Sequence, residues 1–192
     1  MRRAVFLDRD GTINVEVGYI SDPAQVRLLP GAAQAIASIQ EAGLAVVAVS
    51  NQSGIARGRF GLEQMLSVQA EVERQLREEA GASLDAFYYC PHHPEGVVEP
   101  YAVVCDCRKP GIGMLERAAQ ELSLSLPGSF MVGDKRIDVA CGNRAGLTSL
   151  LVTSGMPLDP VASPAEEPAA TLPGLDAAAR WILERLTQGV GR

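Results

Sequence analysis

Ala4-Val5-Phe6-Leu7-Asp8-Arg9-Asp10-Gly11-Thr12 is the stretch on which the fold turns. Four consecutive apolar residues with no polar alternation describe a short strand covered on both faces, as in a parallel sheet between two layers of helices. The run stops at two carboxylates two positions apart. Side chains in an extended chain alternate, so Asp8 and Asp10 are expected to point the same way. Gly11 then allows a sharp turn.

Working outward, further apolar runs lie at Leu44–Val49, Leu84–Tyr89, Phe130–Val132 and Leu150–Val152. Helical patterns separate them. Ala32, Ile36 and Ile39 mark one helix that ends at Gly43, and Met65, Val68, Val72 and Leu76 mark a second. Leu115, Ala118 and Leu122 mark a third, and a fourth covers about Ile137–Ala145. Strand and helix alternate throughout, which predicts an α/β, Rossmann-like three-layer fold with a central parallel sheet flanked by helices. Ligands of such sheets bind beyond the carboxyl ends of the strands. Residues 154–173, rich in Pro, Ala, Ser and Glu, read as an extended connector. A last helix over 175–187 follows, with Leu175, Ala178, Ile182 and Leu186 on one face and Trp181 beside it. The whole of 1–192 is expected to form one domain.

Gly133-Asp134-Lys135-Arg136-Ile137-Asp138 follows the strand at 130–132 and brings two more carboxylates to the predicted sheet edge. Four acids, Asp8 and Asp10 among them, would then converge. Two unit charges about 4 Å apart repel by about 4 kcal/mol at an effective dielectric near 20, so the cluster calls for a cation. Oxygen ligands without imidazole favour Mg²⁺ over Zn²⁺. Taken singly, each piece has a plain structural use: Asp-Gly pairs make turns and lone Asp or Lys residues line solvated surfaces.

A formal net charge of −6 and a pI near 5.0 argue against broad nucleic-acid binding, which needs a basic surface. No segment approaches the roughly 18 unbroken apolar residues of a membrane helix. The opening Met1–Asp8 meets an acid after four apolar residues, too soon for a secretory leader, so a cytoplasmic protein is expected. Cys90, Cys105 and Cys107 fall with His92 and His93 in an 18-residue stretch, 90–107. Three thiolates and one imidazole form a structural zinc set with no open coordination position. His92 or His93 could be the fourth ligand, and a disulfide or free thiols are the alternatives. Cys141, inside the fourth helix, reads as a small buried apolar residue.

In order along the chain, D-x-D-G-T at Asp8–Thr12, Ser50 after the second strand, Lys109 and G-D-x-x-x-D at 133–138 resemble the haloacid dehalogenase-like phosphatases. The resemblance implies that Asp8 attacks phosphorus while Asp10 serves as acid and then base. It also implies Mg²⁺ on the Asp8 carboxylate, the Asp10 carbonyl and the Asp134 carboxylate. Cys90-Pro91-His92-His93-Pro94-Glu95-Gly96 with Cys105-Asp106-Cys107-Arg108-Lys109-Pro110 narrows it, being similar to the D-glycero-D-manno-heptose 1,7-bisphosphate 7-phosphatases of lipopolysaccharide precursor synthesis. That likeness implies a structural Zn²⁺ on Cys90, His92, Cys105 and Cys107. It implies substrate contacts from a flap holding Glu16, Gly18 and Tyr19, from Ser50, Asn51, Gln52 and Ser53, and from Arg108, Lys109 and Lys135. Only 41 residues separate Asp8 from Ser50 and 57 separate Asn51 from Lys109, leaving no room for a cap domain. Selectivity then falls to the flap, the zinc loop and nearby cations such as Arg57. A monomer acting on a small-molecule sugar phosphate is expected, without nucleic acid or membrane. The other readings are a histidinol-phosphate phosphatase, a non-catalytic zinc-stabilised module and, disfavoured by the acidic balance, a nucleic-acid end phosphatase.

Overall fold

A computed structural model describes residues 1–154 and 159–189. In chain order the elements are β1 (Arg2–Leu7), α1 (Ala32–Glu41), β2 (Ala45–Asn51), α2 (Leu62–Ala80), β3 (Ala86–Cys90), α3 (Gly113–Glu121), β4 (Leu124–Gly133), α4 (Arg136–Arg144), β5 (Thr148–Val152), β6 (Ala170–Leu172) and α5 (Leu175–Gly189). The six strands form one sheet in the order β3-β2-β1-β4-β5-β6, every pair parallel.

Alternation along the strands divides the core in two. Val5, Leu7, Val46, Ala48, Val132 and Leu150 face α1, α2 and α5, where Ile36, Ile39, Val72, Leu76 and Ile182 meet them. Their neighbours Ala4, Phe6, Val47, Val49 and Met131 face the opposite way, onto Leu115 and Ala118 of α3 and Cys141 of α4. Both faces of β1 are dry, which is why its sequence shows a continuous apolar run. Cys141 sits in this core 1% exposed, as its setting among apolar residues led one to expect.

The structure differs from the sequence reading at two places. β4 starts at Leu124, six residues ahead of the apolar run at Phe130, and carries Pro127-Gly128 inside it. Its register with β1 shifts between Arg3 and Val5, and there the Ala4 amide donates to Ser129 Oγ at 2.8 Å in place of a ladder bond. Within the stretch 154–173, read as an extended connector, Pro164–Glu166 forms a 3-10 turn and Ala170–Leu172 pairs with β5 as a sixth strand. Residues 155–158 of that stretch lie outside the described residues.

Because β1 and β4 are adjacent while the chain leaves them toward opposite edges of the sheet, a crevice opens beyond their carboxyl ends. Among the described residues, the segments between β1 and β2 and between β2 and β3 hold only a short 3-10 turn, α1, α2 and loops. Among the described residues no cap domain covers that crevice, and no helix is long and apolar enough to cross a membrane.

Candidate active site

Three carboxylates meet in the crevice: oxygens of Asp8, Asp134 and Asp138 lie within 4.8 Å of one another. Asp8 arrives at the end of β1, its amide bonded to Val132 O of β4 at 2.9 Å. Lys109 divides the cluster. Its Nζ, almost fully buried, lies 2.8 Å from Asp8 Oδ1 and 2.7 Å from Asp138 Oδ1, and donates to Val49 O at 2.8 Å. Burial alone would discharge this lysine, but the Asp138 and Asp8 carboxylates outweigh it and hold its pKa above the ordinary value. Asp8 and Asp138 thus share the single Lys109 charge, which leaves the cluster short of a second positive charge beside Asp134, where Lys135 Nζ stands 3.9 Å from Oδ2.

Asp134 shows the need for that charge. Its Oδ1 is buried with no hydrogen-bond partner, and burial followed by the nearby Asp8 charge pushes its pKa up to about 8. An orphaned carboxylate oxygen among oxygen donors fits Mg²⁺. Gly11 makes the approach possible: at its φ of +90° a Cβ would lie 2.2 Å from Asp134 Oδ2.

Asp10 differs from expectation. Its side chain does not join the other three acids, because Arg9 draws it away. Fully buried, Arg9 donates from Nη2 to Asp10 Oδ2 at 2.8 Å, while Asn14 Nδ2 and Gln52 Nε2 donate to the same carboxylate at 2.9 and 3.0 Å. Burial opposes ionisation of Asp10, but Arg9 and the two amides outweigh it and hold the pKa below the usual range. Gln52 also donates to Ser50 Oγ at 2.8 Å, linking the two. Asn51 clamps the Lys109 backbone in both directions, accepting from Lys109 N at 3.0 Å and donating to its carbonyl at 3.1 Å.

Asp8, Asp10 and Lys109 open onto a cavity of about 310 Å³. The expected substrate contacts Glu16, Gly18, Tyr19, Ser50, Asn51, Gln52, Ser53, Arg108, Lys109 and Lys135 all line it. Glu16 and Lys135 meet across its edge, Nζ to Oε2 at 2.8 Å. Arg57 is absent from the lining; it faces His93 and Glu95.

The cysteines are free thiols, and Cys90, His92, Cys105 and Cys107 come together as a second group. Sulfur to sulfur distances run from 3.1 to 3.5 Å, and His92 Nδ1 is 3.3 Å from Cys107 Sγ and 3.7 Å from Cys90 Sγ. Zinc–sulfur bonds of about 2.3 Å imply tetrahedral edges of roughly 3.8 Å, so the four donors fit a single Zn²⁺ after a small expansion. Of the two histidines, His92 is the one in this group, and His93 points to Arg57 instead. Arg108 Nη1 donates to His92 O at 3.4 Å and so ties this group to the cavity.

Comparison with known proteins gives the same picture. The HAD-hydrolase-like family model matches residues 106–178. D-glycero-beta-D-manno-heptose-1,7-bisphosphate 7-phosphatase of Yersinia pestis is 41% identical over 184 residues, 95% of this chain and 90% of the relative. That of Photorhabdus laumondii is 45% identical over 157 residues, 81% of this chain and 83% of the relative. The chain belongs to the heptose bisphosphate phosphatase family of haloacid dehalogenase-like enzymes. The crystal structure of D,D-heptose 1,7-bisphosphate phosphatase from B. bronchiseptica, complexed with magnesium and phosphate, superposes with a TM-score of 0.79 at 31% identity, covering 95% of this chain and 99% of that one. A HAD-like phosphatase from Mesorhizobium loti gives 0.81 at 42% identity, covering 94% and 87%.

Read as a heptose bisphosphate phosphatase-family site, the cavity includes residues that sequence reasoning passed over. Phe60 and Ile137 line it, and Arg9 supports it from behind; Asn14, expected at the start of the flap, turns back to donate to Asp10. Arg9 stood in the variable position of D-x-D-G-T, where nothing in the spacing distinguishes a buried guanidinium from a solvated one. Phe60, an aromatic between Arg59 and Gly61 just after the Ser50 loop, was the one signal available for its wall.

Proposed function

We propose that this chain hydrolyses the 7-phosphate of D-glycero-β-D-manno-heptose 1,7-bisphosphate, with Asp8 as nucleophile, in the supply of activated heptose for lipopolysaccharide. The observation that carries the reading is the pairing of Asp8 with buried Lys109 beside the orphaned Asp134, in a cavity lined by the full set of expected substrate contacts. The names borne by relatives at 41–45% identity supply the substrate.

Asp8 and Asp134 would hold Mg²⁺, which supplies charge neutralisation at the phosphoryl oxygens. Lys109 and the Arg9 amide, 2.8 Å from Asp8 Oδ1, fix the rotation of the nucleophile. An Asp8 oxygen forms the bond to phosphorus as the ester P–O bond breaks, and Asp10 gives the leaving oxygen its proton. Water then attacks the same phosphorus, loses its proton to Asp10, and releases phosphate with Asp8 restored. Asp10 stands ionised, the form that receives a proton from water. A phosphate dianion placed beside it raises its pKa again and prepares it as the acid. Ser50, Arg108 and Lys135 complement the spread negative charge, and Asn51 acts by fixing Lys109. Cys90, His92, Cys105 and Cys107 would hold Zn²⁺ as a structural ion that sets the position of Arg108. On this reading the enzyme works as a cytoplasmic monomer.

The test compares turnover of heptose 1,7-bisphosphate and histidinol phosphate, with and without Mg²⁺. Magnesium-dependent release with a kcat/KM at least tenfold higher for the heptose ester is expected. Preference for histidinol phosphate would replace the substrate, and activity undiminished by complete Mg²⁺ removal would remove the mechanism.

A further inference from the structure

Around the place where phosphorus reacts the lining is polar: Asp8, Asp10, Asp138, Lys109, Asn51 and Ser50 surround it. One side is not. Phe60, 7% exposed, packs with Ile55 and Met65 and presents its remaining edge to the cavity beside Gly18 and Tyr19. Its ring lies directly on the backbone of Gly54, where a Cβ would come within 2.2 Å of Phe60 Cε1, so the ring is set as far back as the chain allows. The Tyr19 ring meets it at 6.5 Å between centroids and 58° between planes. Arg59 holds Tyr19 from another side, its guanidinium carbon 5.8 Å from that ring's centroid. The flap is therefore fastened at both ends, by Tyr19 here and by the Glu16–Lys135 pair at 2.8 Å.

Phosphoryl transfer requires cations and in-line placement, and an aromatic edge serves neither. It acts on the carbon part of the ester. We propose that Phe60, with Tyr19 held against it by Arg59, forms the specificity wall of this site and packs on the apolar C–H face of a pyranose whose phosphorylated arm reaches Asp8. The inference rests on the sugar-phosphate reading above and adds the residue that selects the sugar. Phe60 is a specificity residue and not a catalytic one. Loss of its contact lowers kcat/KM for the sugar ester relative to a phosphoryl donor too short to touch it.

The experiment measures kcat and KM on heptose 1,7-bisphosphate and on acetyl phosphate for the parent, Phe60→Leu and Tyr19→Leu. Tyr19 is 46% exposed, so its variant folds even if Phe60→Leu does not, and thermal melting establishes folding for both. Apolar pocket contacts discriminate by about 10–200-fold, so each variant is expected to lower the heptose to acetyl phosphate ratio of kcat/KM by about tenfold, mainly through the KM for heptose. A parent that prefers heptose, with ratios in the folded variants within about twofold of it, overturns the wall and leaves the sugar reading intact. A parent with no preference for heptose overturns the sugar reading, and the wall with it.

Discussion

Asp134 binds a proton in the absence of a cation, because burial and Asp8 place its pKa near 8 instead of the ordinary 3.8. The sign of the linkage follows. A carboxyl with a raised folded pKa contributes stability at low pH that is lost as pH climbs from about 4 toward 8, and a cation bound to the carboxylate reverses that loss. Mg²⁺ must displace the proton, so apparent affinity should weaken by up to tenfold per pH unit below 8; titration calorimetry at pH 6 and pH 8, in buffers of different ionisation heat, measures both the affinity and the proton released. A pH-independent affinity would show that Asp134 is already ionised without metal. Asp10→Asn keeps the shape but removes the proton carrier, and kcat is expected to fall about 10²–10⁴-fold. Much of this was legible at the residue scale, because carboxylates at fixed spacing after apolar runs mark a sheet edge. Rotamers were not: Asp10 leaves the acid cluster because buried Arg9 captures it, and Asn51 holds the Lys109 backbone, neither of which follows from spacing.

The zinc loop belongs to the scale of elements. It contains no helix or strand after β3, and it is held by the group of Cys90, His92, Cys105 and Cys107 together with bonds from Val97 and Val98 to Ala56 O. Burial, followed by the neighbouring Cys107 thiol, holds Cys90 above the usual thiol range, so metal binding releases protons as the thiols become thiolates. Chelation should lower the melting temperature and reduce kcat/KM through misplacement of Arg108, and be reversed by Zn²⁺ but not by Mg²⁺, whereas Cys105→Ser should show the same losses without rescue by added Zn²⁺; melting curves with paired assays check this. The clustering of Cys90, Cys105 and Cys107 with a histidine could be read from the sequence because residue type and spacing carried the signal, but not which of His92 and His93 joins them. β6 could not, since Ala170–Leu172 is held by main-chain pairing to β5 and shows no apolar run. β4 was read short for a related reason: Pro127-Gly128 looks like a strand end, and only the bulge with Ser129 lets the strand continue.

At the scale of the molecule, order in the sheet produces the site. Asp8 and Asp134 are 126 positions apart in sequence, yet β1 and β4 are neighbours and their carboxyl ends deliver both acids to one crevice. Alternating patterns predicted the parallel sheet and the layers on each side; which strands adjoin was not legible, because apolar runs carry no information about lateral order. Leu7→Ala removes a fully buried side chain from β1 immediately before the nucleophile and should cost about 2–5 kcal/mol, read by denaturant unfolding. Ile182→Ala, equally buried in α5, should cost a similar amount but leave kcat nearly unchanged, because no residue of α5 lines the cavity. The most direct measurement is a rapid acid quench of the enzyme with heptose bisphosphate radiolabelled at the 7-phosphate, followed by peptide mapping. The label should be recovered on the peptide containing Asp8 and be absent from Asp8→Asn. Label on another residue, or phosphate release by Asp8→Asn at the parent rate, would contradict the account.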